Sequence, residues 1–145
     1  MNFKMIGLFF TLVFSSLSLG NAYAQSPGTM VFCGAAAEST CYFKPGEEAK
    51  VKLGTSFPST TPNIYFRAYF AQPLATDKLT ISVYKDGSFF KGISNKEGYY
   101  PELKTAFTDL TNAVWWNDKP FPIGSYKVQV AKQGQVIAEG AFSIR

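Results

Sequence analysis

The sequence predicts an all-β domain, either a sandwich or a barrel. Three observations carry this. Short runs alternate apolar and polar residues with period two, the mark of strands buried on one face. Turn residues separate those runs about every 8–12 positions. And Asp86-Gly87 sits between two such runs, the strongest short-range hairpin signal.

The elements follow in order. Met30 to Cys33 is a short β-prone run. After the Pro45-Gly46 turn, Ala49, Val51 and Leu53 alternate with Lys50 and Lys52, which predicts a half-buried strand. Ser56 to Pro62, with its prolines and hydroxyl residues, reads as a loop. Ile64 to Phe70 alternates again, with Ile64, Phe66, Ala68 and Phe70 on one face and Tyr65, Arg67 and Tyr69 on the other. Gln72 to Asp77 connects. Leu79, Ile81 and Val83 form the next strand, and Phe89 to Ile93 returns from the Asp86-Gly87 turn. Leu103, Phe107, Leu110 and Val114 fall at helical spacing after Pro101, so one short helix or helical turn is expected near 102–112. Thr105, Thr108 and Thr111 work against it. Asn117 to Pro122 is a loop. Tyr126, Val128 and Val130 make a strand, Gln133-Gly134 turns the chain, and Val136, Ala138, Phe142 and Ile144 share a face to the end.

The chain has 145 residues, of which 46% are apolar, enough for a core and against disorder. Residues 1–24 read as a signal peptide. Lys4 supplies the positive charge, Met5 to Leu19 is almost wholly apolar or small, and Ala22-Tyr23-Ala24 fits the peptidase site, with the cut after Ala24. The apolar run is about 15 residues, short of the ~20 that cross a bilayer. Residues 25–145 are then one domain, periplasmic or secreted. An oxidising compartment lets Cys33 and Cys41, the sole cysteines, join as a local staple.

The end of the chain narrows the fold. Ile123-Gly124-Ser125-Tyr126-Lys127-Val128-Gln129-Val130, a glycine turn, and Val136 to Ile144 resemble the final hairpin of immunoglobulin-like and fibronectin-III-like domains of exported bacterial proteins. Tyr126 after Gly124 resembles their tyrosine corner. The resemblance implies an immunoglobulin-like antiparallel β-sandwich and a binding or structural module. It departs from antibody domains: the Cys33–Cys41 spacing is too short to join two sheets, and Val128 stands where the second bridging cysteine would fall.

Chemistry-bearing groups are thin. There is no histidine, which excludes histidine relays and histidine zinc sites, and two cysteines cannot make an all-thiolate zinc site. Glu47-Glu48 follows a turn and reads as solvated. Asp109, Asn112, Asn117 and Asp118 do not have the spacing of a calcium loop. The net charge of +4 comes from scattered lysines, a mildly basic surface and not a nucleic-acid stripe. We therefore expect no catalytic residues, no metal, no cofactor and no nucleic acid.

Aromatics make up 17% of the chain and come in adjacent pairs: Phe89-Phe90, Tyr99-Tyr100 and Trp115-Trp116. Neighbours in an extended chain point to opposite faces, so one of each pair fills the core and the other lies outside. Tyr65, Arg67, Tyr69, Tyr99, Tyr100, Trp115 and Trp116 are the candidate partner-binding residues, because Tyr, Trp and Arg dominate interface energetics. The expected role is an exported non-catalytic module that binds or helps assemble a protein partner, itself exported or on the surface. The alternatives are a carbohydrate-binding module that stacks a glycan on exposed aromatics, or an inhibitor of an extracellular hydrolase.

Overall fold

The computed structural model describes residues 25–114 and 121–145. Along the chain lie β1 (Met30–Ala35), a one-turn helix α1 (Glu38–Cys41), a 3-10 turn (Glu48–Lys50), β2 (Ser56–Phe57), β3 (Asn63–Tyr69), β4 (Leu79–Lys85), β5 (Ser88–Lys96), β6 (Thr105–Asp109), α2 (Leu110–Ala113), β7 (Gly124–Lys132) and β8 (Gln135–Ile144). Two sheets form, ordered β1-β3-β6 and β2-β8-β7-β4-β5. Every pairing is antiparallel except β2 beside β8.

This is an immunoglobulin-like β-sandwich. The strands β1, β3 and β6 take the places of A, B and E; β4, β7 and β8 take those of C, F and G, with β5 at C′. The alternating runs explain the layering. Phe32, Ile64, Phe66 and Ala68 face inward from one sheet, and Ile81, Val83, Tyr126, Val128 and Phe142 from the other, all buried in one cluster. Tyr126 stacks on Phe142 with ring centroids 5.0 Å apart. Its hydroxyl donates to the Pro122 carbonyl at 2.5 Å, which is the tyrosine corner. At the Asp86-Gly87 turn both residues have positive φ, 49° and 85°, as a tight hairpin twisted with its strands requires.

Four expectations need correction. Ala49, Val51 and Leu53 form no strand. Lys50 and Val51 donate their amides back to Glu47 and Glu48, closing a 3-10 turn, and Gly54 then reaches the Phe32 carbonyl at 3.0 Å. The segment runs beside the free edge of β1 but makes only that one bond to it, because the 3-10 turn takes up the amides of Lys50 and Val51. The helix near 102–112 gives way to β6, because β3 offers a second edge and the β-branched threonines suit it; Thr105 pairs with Tyr69 and Asp109 with Tyr65. One helical turn does form, but at Leu110–Ala113, where the Asp109 side chain caps it by accepting from the Asn112 amide at 3.0 Å. That also gives Asp109 and Asn112 a structural role. The loop from Ser56 holds a two-residue strand, β2. And Val136 is exposed, because a bulge between Val130 and Ala131 shifts its pairing near the end of β8.

The link between β1 and β2 folds back across the outer face of β3, the face away from the sandwich core. The Cys33–Cys41 disulfide fixes that course, with Cα atoms 5.7 Å apart. Cys33, Cys41 and Tyr65 form a second small buried cluster there, with Ala35, Leu53 and Phe107 packed against it.

Candidate functional site

The outer face of β3 carries Tyr65, Arg67 and Tyr69 by simple alternation. An open stripe was one reading of that pattern; the structure covers it. Tyr65 is 2% and Arg67 4% exposed, and Tyr69 is partly buried. The cover is the segment that the disulfide pulls into place. Tyr42 and Phe43, next to Cys41, lie over the Arg67 guanidinium, whose central carbon is 5.7 Å and 5.0 Å from their ring centroids. Phe107 of β6 adds a third ring at 5.3 Å. Tyr65 stacks on Phe107 at 5.9 Å, and Tyr42 meets Phe107 edge-on at 5.2 Å.

Within this aromatic cup Arg67 donates from Nη1 to Thr105 Oγ1 at 3.2 Å and from Nη2 to the Phe43 carbonyl. Its buried Nε–H has no acceptor. Burial pushes the guanidinium below its usual pKa, and the oxygens of Tyr69, Tyr42 and Glu48 oppose that shift. Glu48, read from the sequence as a solvated turn residue, is instead 5% exposed. Its carboxylate accepts from the Tyr69 hydroxyl at 2.8 Å and from the Gly46 amide at 3.1 Å.

The cup continues into a depression of about 260 Å³ between Tyr42 and the 98–107 segment. Arg67 and Thr105 form part of its wall, Tyr99 and Phe107 line it, and Tyr42, Tyr100 and Leu103 stand at its rim. The two described aromatic pairs each place one ring inside and one outside. Tyr99 is buried, with its hydroxyl hydrogen-bonded to Thr108 Oγ1 at 2.9 Å, while Tyr100 is 65% exposed. Phe90 packs on the core and Phe89 is exposed. The depression therefore brings together Arg67, Tyr99 and Tyr100. Tyr65 lies behind it under Phe107, and Tyr69 is turned toward Glu48. Trp115 and Trp116 lie outside the described residues.

Sequence reasoning missed Tyr42, Phe43 and Leu103. Tyr42 and Phe43 had one available signal, their place immediately after Cys41. Leu103 was assigned to the buried stripe of the expected helix. A larger, mainly apolar groove of about 390 Å³ runs beside β1, lined by Met30, Val31, Val51 and Leu53, and holds none of the candidate binding residues. Among the described residues there is no cluster of three or more His, Cys, Asp or Glu side chains.

No family model matches the sequence, and no curated protein matches it. Among solved structures, the chain is similar in fold to an immunoglobulin-like protein from Pseudomonas aeruginosa, 14% identical, with a TM-score of 0.44, over 66% of this chain and 81% of that one. The fold itself is given by the strand order and the tyrosine corner described above.

Proposed function

We propose that this protein is an exported, non-catalytic immunoglobulin-like module that binds or helps assemble a protein partner. The observation that carries the reading is the convergence of Tyr42, Tyr100 and Leu103 on one depression. They are 51%, 65% and 41% exposed. Large exposed rings around a desolvated arginine have the composition of an interface hot spot. Scattered single apolar residues need no explanation, but a cluster rimming a cleft does.

Export is the second half of the reading. A disulfide forms and persists in an oxidising compartment, which suits the signal peptide expected over 1–24. No helix among the described residues is long and apolar enough to cross a membrane. The mature chain would then be residues 25–145, one domain.

Two experiments test this. Mass spectrometry of the protein recovered from the periplasm or medium should give an N-terminus at Gln25; retention of residues 1–24 contradicts export by cleavage. Tagged, exported protein should then capture a specific protein, and Tyr100→Ala should lose it. Capture of a glycan or a hydrolase instead would replace the protein-assembly reading with one of the two alternatives.

A further inference from the structure

We propose that the depression takes a carboxylate of the partner, an Asp or Glu side chain presented beside an apolar residue, with Arg67 as its receptor. The inference rests on the protein-binding reading above and names the chemistry it would use.

Arg67 is a buried charge that makes no direct ion pair. Arg67 is the one buried cation among the described residues. The ion pairs there are Lys50–Glu47, Lys78–Glu97 and Lys85–Asp86, all at the surface. The guanidinium donates to neutral oxygens, Thr105 Oγ1 and the Phe43 carbonyl, with the Tyr42 hydroxyl beside it, and its Nε–H has no acceptor. Buried charge is normally paired, and a buried N–H is normally satisfied. Glu48, the buried anion nearby, acts on Arg67 through space, but its carboxylate is hydrogen-bonded to the Tyr69 hydroxyl and the Gly46 amide and leaves the Nε–H unpartnered.

A carboxylate is the group that fits what is left. Its two oxygens match the parallel N–H bonds that Nε and a terminal nitrogen of arginine offer, and it neutralises the charge at the same time. A single neutral carbonyl could accept from the Nε–H but would supply neither the second oxygen nor the charge. Lys96, whose ammonium lies 5.6 Å from the Tyr99 ring centroid, adds a second cation beside the depression. Glu38 at the edge opposes it, but is exposed and so screened by salt. Tyr42 is half-exposed and covers the guanidinium, so its ring is the wall that moves aside as the carboxylate enters. Tyr100 and Leu103 then pack the neighbouring apolar residue of the partner. A protein is favoured over an acidic sugar by this mix of aromatic and aliphatic rim.

The sequence contains two arginines, Arg67 and Arg145, so their Nε–H signals are separable by nuclear magnetic resonance. The ¹⁵N-labelled protein, purified after export of the full chain, is titrated with the blocked tripeptides acetyl-Leu-Glu-Leu-amide and acetyl-Leu-Gln-Leu-amide, and with sodium glucuronate. The Glu peptide should shift the Arg67 Nε–H signal and the Gln peptide should not. Arg67→Lys should weaken the Glu peptide by about tenfold or more, and so should Tyr100→Ala, an exposed position that leaves the fold intact. No shift with the Glu peptide, or equal shifts with both peptides, overturns the carboxylate assignment; so does a response to glucuronate alone. If partner capture still depends on Tyr100 in that case, the protein-binding reading survives without it. If the Arg67 signal responds but capture is indifferent to Tyr100, the reading fails and the carboxylate site stands.

Discussion

The Tyr69 hydroxyl donates a 2.8 Å hydrogen bond to Glu48 and so ties the 3-10 turn to the outer face of β3. Burial pushes the Glu48 carboxyl up, but the Tyr69 hydroxyl, backbone amides and Arg67 together hold it below its ordinary value. Burial and the adjacent Glu48 push the Tyr69 phenol up. The two shifts give opposite limbs. The folded Glu48 pKa is depressed, so its contribution is present above the unfolded value of about 4.3 and is lost as pH falls through the folded value. The folded Tyr69 pKa is raised, so its contribution is present below about 10 and is lost as pH rises beyond that. Urea unfolding across this range should show a plateau with both limbs falling. Glu48→Gln should flatten the acid limb. An acid limb unchanged in that variant would mean other carboxylates cause it.

Tyr126 offers a test of the corner. Its ring is held by Phe142 and Phe121, and only the hydroxyl reaches Pro122. Tyr126→Phe should therefore cost about 0.5–1.5 kcal/mol, the net worth of one hydrogen bond. Burial, with a smaller push from Asp86, raises this phenol to about 12. The same substitution should soften the loss of stability above pH ~10. Chemical denaturation at neutral and alkaline pH reads both effects.

Reduction of Cys33–Cys41 should lower stability by roughly 2–3 kcal/mol on the chain-entropy model, without unfolding the domain. The main core lies on the other face of β3 and does not include the bridge. The same change should loosen Tyr42 and Phe43 over Arg67, so partner binding should fall more than stability does. Complete unfolding in mild reductant would show that the bridge holds the main core.

Close approach of the two sheets can be probed at Gly140. A Cβ built there would lie 2.8 Å from Met30 Cβ and 2.9 Å from the Phe32 ring, where no flexible side-chain end can give way. Gly140→Ala should cost about 1–3 kcal/mol by overpacking. Gly134→Ala has no neighbour within 4 Å of its Cβ, so any loss there comes from its positive φ of 79° and not from packing. Thermal unfolding of the pair separates the two causes.

The strands were legible wherever one face is buried and the other is not. β4 and β7 read directly, because Leu79, Ile81 and Val83, and Tyr126, Val128 and Val130, alternate with polar residues. β6 did not, because its assignment depends on the free edge of β3, a long-range fact that the spacing of Leu103, Phe107 and Leu110 does not contain. The site was legible in part. Arg67 was a candidate from its strand stripe, and Tyr99 and Tyr100 as an adjacent pair; the fold brings the three to one depression. That Arg67 is covered follows from the disulfide's geometry, which brings Tyr42 and Phe43 across the strand. Glu48 could be read as buried only once Tyr69 was known to face it.

The central claim is that the rim of the depression binds a protein. The most direct measurement compares Tyr100→Ala with Phe89→Ala, two rings of nearly equal exposure, 65% and 64%. Phe89 lies on the other sheet, in β5, beside the Asp86-Gly87 turn. Melting temperature and partner capture by the exported protein are measured for both. The expected result is that neither variant changes the melting temperature, that Tyr100→Ala weakens capture by about 1 kcal/mol or more, and that Phe89→Ala leaves it intact. Equal capture by all three proteins would contradict a binding face at the depression.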